Sequence, residues 1–339
     1  MNIKTFWFVL YAFIFLPGQL FGWGFEIHKY INRGAVRLLP AEMDDFGFYE
    51  EYLVENAPAP DHWKTFAKDE GIRHYMDMDN FEKYPFKNMP RKYKDMIQKY
   101  GREKVIANGL LPWATLQCIE LLTGYMKSGK WPEALLVAAT LGHYVGDGHQ
   151  PLHTAANYDG QLTGNTGIHF RYEVTMTEAF LAEITLDGGA PVYASVASPE
   201  KPGKKDEKSG MADAQARKTR SQLAKKVKSV KKPLDYIFDY ITVSYPGVKP
   251  IMDADTKHKG NIESDPDRYY RLIWQDTRPM TSVALQNARV ALASLWYTAW
   301  KNAGSPKIPR IPSGKLLTIT TEQEWKDVFG SFDKPKKIQ

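Results

Sequence analysis

Four of the eight histidines in the 339-residue chain crowd between positions 143 and 169: His143, His149, His153 and His169. An even scatter would place fewer than about one there. Asp147 stands four residues after His143, and Glu173 four after His169. At helical spacing each pair shares a face, one turn apart. With 39 acidic residues, about one such pair is expected by accident, so the crowding carries more information than the pairs. Neutral imidazoles and carboxylates are the zinc ligand set open to a chain with a single cysteine, Cys118. The chemistry on offer is metal binding, either for catalysis or for holding the fold.

The elements that must position these residues read as helices. Glu26 to Leu39 carries Ile27, Ile31, Ala35 and Leu38 at helical spacing and stops at Pro40. Trp131-Pro132-Glu133 opens a helix with proline in its first turn, continuing through Gly148 toward Pro151. His153 then lies just past a helix stop, where the chain can fold back on the His143/Asp147 face. A helix from near His169 runs through Phe180 to Ile184, and another spans Thr281 to Trp300 until Gly304-Ser305-Pro306. The expected fold is all-α, one multi-helix domain over 23–308. A polar insertion occupies about 187–261, because EKPGKKDEKSG and LAKKVKSVKK read as solvated chain. Residues 309–339 read as a peripheral C-terminal extension.

The first 22 residues resemble a signal peptide. Lys4 precedes the unbroken apolar run Phe6 to Leu16, Pro17-Gly18 breaks it, and Gly22 offers a cleavage point. A membrane-spanning helix needs about 20 apolar residues, more than this run holds. The expected location is therefore outside the cytoplasm, periplasmic or secreted. With one cysteine no intrachain disulfide is possible, so core packing, metal, or both must hold the exported chain. A net charge of +6 favours anionic partners.

The stretch HYVGDGHQPLHTAANYDGQLTGNTGIHFRYE resembles the metal-binding core of bacterial zinc-dependent phospholipase C, whose superfamily includes the single-strand-specific zinc nucleases. The family's ordered pattern is matched throughout: Trp23 and His28, then Asp61, His74, His143, Asp147, His153, His169 and Glu173. The resemblance covers most of residues 23–184, and LWYTAWKNAGSP matches the last helix more loosely. It implies three zinc ions. Asp61, His74, His143 and Asp147 would hold the first, and His153, His169 and Glu173 the second. Trp23 and His28 would hold a third, sharing Asp147. Cleavage after Gly22 would free the α-amine of Trp23, whose nitrogen and carbonyl oxygen can chelate metal. Export would then double as activation.

The implied activity is hydrolysis of a phosphate ester by metal-activated water, with Asp61 also able to accept the proton. Asp77 and Asp79 are candidates to orient His74 from behind. Glu173, where the nucleases have Asp, and the short loop from His153 to His169 point to a phospholipase C-like enzyme acting on lipid headgroups at a membrane surface. The compact W-G-x-x-x-H start points instead to a nuclease acting on nucleic-acid phosphodiesters. A non-catalytic zinc-stabilised binding protein is the reading from another class. His149 reads as structural or as supporting the site, and His62 and His258 as outside it. Phe25, Trp63, Tyr75, Trp113, Tyr144, Tyr158, Phe170 and Tyr172 read as core more than pocket wall.

Overall fold

The apolar stripes assemble around one helix that is buried on every side. The computed structural model describes residues 24–186, 218–331 and 338, and no strand forms among them. The fold is all-α. The leader and Trp23 lie outside the described residues, as does 187–217. The main helices are α1 (Phe25–Val36), α2 (Ala59–Trp63), α3 (Leu111–Lys127), α4 (Trp131–Gly148), α5 (Pro233–Ser244), α6 (Val248–His258), α7 (Pro266–Asn302) and α8 (Glu322–Phe329).

Helix α4 is the centre. Its residues from Ala134 to Gly148 are all buried, as expected of a helix that is apolar all round. α1, α3, α5 and α7 pack against it. Small residues let them come close. A side chain on Gly142 would overlap the Asn32 amide, and one on Gly146 would touch His28 Nδ1 at 3.0 Å. Asn32 fastens α1 in place, since its Nδ2 donates to Leu53 O at 2.8 Å and Ala139 O at 3.2 Å. These glycines bring His28 beside His143 and Asp147.

Four expectations change. The polar insertion does not reach through Pro233–His258, because Ile237, Phe238, Ile241 and Ile251 of α5 and α6 are core residues. Tyr240 stacks on His149 at 4.4 Å, and Ser244 Oγ donates to Gly148 O at 3.0 Å. The helix expected over Thr281–Trp300 begins at Pro266, where the Asp265 side chain caps it, and it continues through Pro279. The extension after 308 is not peripheral throughout: α8 buries Trp325 and Phe329. The segment from His169 also departs from a plain α-helix, with Arg171–Met176 wound as a π-helix. Such turns recur at functional sites, and this one carries Glu173.

Candidate metal centre

The elements converge on one buried set of donors. His28 comes from α1, Asp61 from α2, His74 from the turn after Gly71–Arg73, and His143 with Asp147 from α4. His153 lies in a 3-10 turn, His169 at the start of the next helix and Glu173 in the π-turn. Three groups each place their ligand atoms within 4.8 Å of one another: His28/His143/Asp147, Asp61/His74/His143, and His153/His169/Glu173. His143 joins the first two groups. The eight described residues of the expected ligand set are all buried and all brought together. Trp23 lies outside the described residues.

Hydrogen bonds fix which nitrogens face inward. A carbonyl oxygen only accepts, so a ring nitrogen beside one must carry the hydrogen. His143 Nδ1 donates to Ala57 O at 3.0 Å, His153 Nδ1 to His74 O at 2.6 Å, and His169 Nδ1 to Tyr158 O at 3.0 Å. In His143, which burial keeps neutral, Nε2 is left with its lone pair. His153 Nε2 and His169 Nε2 face each other at 3.2 Å, with Glu173 Oε2 2.5 Å from the latter. His143 Nε2 stands 3.0 Å from His74 Nδ1 and 3.4 Å from Asp147 Oδ2. A proton can join such atoms, and so can a metal cation held between the nitrogens and the carboxylates.

Electrostatics agree. Burial pushes His28, His74 and His143 well below the usual imidazole range, so they are neutral and ready to ligate. Burial acts to raise Glu173, but His169 and His153 outweigh it and hold its carboxyl low. Burial likewise opposes Asp61, where the Lys64 ammonium leads the groups that hold its carboxyl low and keep it ionised. Asp147 is the exception. Burial, then the charges of Asp61 and Glu173, push its carboxyl well above the carboxylate range. Both Asp147 oxygens and both His28 nitrogens are buried without a hydrogen-bond partner, although buried polar groups are nearly always satisfied. A divalent cation would satisfy them, so the donor set fits a metal.

Glu70 takes the place expected of Asp77 and Asp79. The ring of His74 turns Nε2 to Glu70 Oε1 at 3.2 Å. Asp79 instead accepts from Ala156 N at 2.9 Å and Tyr245 OH at 3.3 Å, anchoring the loop after His153. Asp77 is buried with Oδ1 unpartnered, and burial, then Asp79, raise its carboxyl to about 7. Lys64 places Nζ 2.6 Å from Asp61 Oδ1, and Gln150 Nε2 donates to Glu173 Oε2 at 3.2 Å. Glu70, Lys64 and Gln150 are absent from the expected site. Glu70 stands four residues before His74, the same spacing that draws attention to His143, and Lys64 lies one turn after Asp61.

Of the remaining histidines, His149 is structural: Nδ1 donates to Val145 O at 2.7 Å. His62 is exposed beside Phe25. His258 is buried with Nε2 2.9 Å from Asp276. Phe170 is exposed, whereas Trp63, Trp113, Tyr144 and Tyr172 are core.

No family model matches this chain, and no curated protein is detectably similar to it. The physical fit of the donor set therefore carries the functional argument.

Proposed function

We propose that this protein is a zinc-dependent phosphodiesterase, and that its lipid-directed form, a phospholipase C-like enzyme, is the leading reading. The observation that carries the proposal is the convergence of buried imidazole nitrogens, His74 Nδ1 with His143 Nε2 at 3.0 Å and His153 Nε2 with His169 Nε2 at 3.2 Å, around carboxylates. The first two groups are joined through His143 and His74, whereas a purely structural zinc is closed off by four ligands. Bound zinc would supply Lewis acidity toward phosphoryl oxygens and a water acidified toward neutrality.

The chain's own residues supply the rest. His28, His74, His143, Asp147, His153, His169 and Glu173 would hold the ions. Asp61, kept ionised beside Lys64, can take the proton of the attacking water while it also ligates. The Lys64 ammonium offsets negative charge on a phosphate drawn to the same place.

Two observations separate the substrates. Leu162 and Phe170, in and just after the loop that ends at His169, are 71% and 54% exposed. Apolar side chains held in solvent beside the site suit a lipid surface. The nuclease reading is favoured by Asp77, whose unpartnered oxygen lies near half-buried Tyr75 and Tyr158. An aromatic face with a hydrogen-bonding carboxyl beside it suits a nucleobase. Phosphorus NMR on zinc-loaded protein beginning at Trp23, with phosphatidylcholine and single-stranded DNA together, decides. Phosphocholine release supports the lipase, and nucleotide monophosphate moves the chain to the nucleases. Turnover of neither, with zinc bound, sinks both and leaves a zinc-stabilised binding protein.

A further inference from the structure

We infer that helix α8 is a positioning element of the metal centre: Trp325, acting through Glu70, sets the tautomer of His74 and turns its free nitrogen toward the ion. The inference rests on the metal-dependent reading above.

The hydrogen bonds leave one consistent assignment. Arg73 has only donors, so its Nε–H, 2.9 Å from the Tyr144 hydroxyl, uses that oxygen as acceptor. The hydroxyl hydrogen then goes to Glu70 Oε1 at 2.5 Å. The Trp325 indole N–H also only donates, and it lies 2.8 Å from Glu70 Oε2. Glu70 thus accepts at both oxygens and meets His74 Nε2 as a third acceptor contact. With Glu70 ionised, Nε2 carries the hydrogen. His74 Nδ1 is left with its lone pair, aimed at Asp147 Oδ2 at 3.1 Å and His143 Nε2 at 3.0 Å.

α8 is fastened where this requires. Gln117 Nε2 donates to Phe329 O at 3.0 Å, and Tyr125 OH to Val328 O at 2.7 Å. The Arg73 guanidinium lies between the rings of Tyr144, Trp325 and Phe329, 5.3 to 5.8 Å from each. Phe329 packs on Trp63 at 5.5 Å, two residues beyond Asp61. The helix therefore backs two residues of one donor group. His153 and His169 are oriented by backbone carbonyls and do not depend on it.

The test is zinc affinity of the full chain, measured by competition with a chromophoric chelator. Trp325→Phe removes the indole N–H and keeps most of the ring, and should weaken part of the zinc binding by about ten- to a hundredfold, the usual cost of losing a partner behind a ligand. Val328→Ala removes packing from the same helix without touching Glu70, and should shift zinc affinity by less than about threefold. In a His74→Ala background, Trp325→Phe should add nothing. Glu70→Gln, which keeps the shape but presents a donor, is the second variant and should match Trp325→Phe. Equal effects of Trp325→Phe and Val328→Ala, or an effect of Trp325→Phe that survives without His74, overturn the inference. Zinc uptake with unchanged affinity in Trp325→Phe overturns it alone, whereas a wild-type chain that takes up no zinc overturns the reading of the site as well.

Discussion

Replacing Gly142 with alanine should destabilise the protein, although alanine is the better helix former. Gly142 lies inside α4, where propensity alone predicts a gain of about 1 kcal/mol. Packing opposes this. The new methyl would fall on Asn32 Oδ1, with Cγ at 2.6 Å and Nδ2 at 2.9 Å. Asn32 is fully buried and cannot swing away without giving up its bonds to Leu53 O and Ala139 O. Overpacking costs about 1–3 kcal/mol, and leaving buried hydrogen-bonding groups unsatisfied costs about 1–3 kcal/mol more. Set against the propensity gain, the net loss is about 1–5 kcal/mol. Urea unfolding of the zinc-free protein measures it. Asn32→Ala in the same chain removes the obstacle, so the double mutant should recover at least about 1 kcal/mol relative to the sum of the singles. If Gly142→Ala is as stable as wild type, or if the two losses simply add, α1 is not seated on α4 through this glycine. The placement of His28 would then need another cause.

Asp147→Asn removes a buried carboxylate that has no hydrogen-bond partner within the protein, so zinc-free stability should hold or rise while bound zinc falls by at least one ion; unchanged zinc content after dialysis would contradict the assignment. His149 is buried neutral, with burial lowering it to about 4. The unfolded chain binds the extra proton between about pH 6.5 and 4, so stability from this group is full above 6.5 and falls by about 3–4 kcal/mol as pH drops through that window. His149→Gln should flatten that part of the stability–pH curve, and an unaltered slope would show that the ring titrates freely. Lys64→Met takes away the nearest cation from Asp61, costing about 3 kcal/mol in chelator-treated protein, and less once zinc is present. Urea midpoints with and without chelator would test this, and an equal loss in both states would argue against metal beside Asp61.

The legible part of this chain is the part whose function and fold use the same spacing. Helix α4 announces itself through Trp131-Pro132 and carries two donors one turn apart, so its boundaries and its chemistry are read together. α1 ends three residues earlier than expected, at Val36, a shift at a fraying end. The polar insertion expected over 187–261 fails at Pro233 for a physical reason. Lysine-rich chain runs up to Lys232 and masks the change of character beyond it, yet α5 turns Ile237, Phe238 and Ile241 inward at helical spacing. Aromatic and β-branched residues at that spacing are a core signal that local charge obscures.

The residues behind the ligands are harder to see because their partners are far away in sequence. Trp325 reaches Glu70 across 255 positions, and no local pattern connects an indole in a short C-terminal helix to a carboxylate near residue 70. Asp77 and Asp79 are closer to His74 in sequence than Trp325 and for that reason look better placed. Geometry reverses the ranking, since a ligand's supporting acid must reach the ring nitrogen that points away from the ion. In a helical turn the residue four before His74 meets that nitrogen, while those three and five after it follow the end of that turn, Asp79 within a separate 3-10 turn, Met78–Asn80. Spacing backward along the chain is therefore the missing criterion. Applied to the whole set, it separates His74, whose support is a side chain, from His143, His153 and His169, whose supports are backbone carbonyls. A carbonyl cannot be mutated away, so His74 is the ligand whose orientation substitution can most readily disturb.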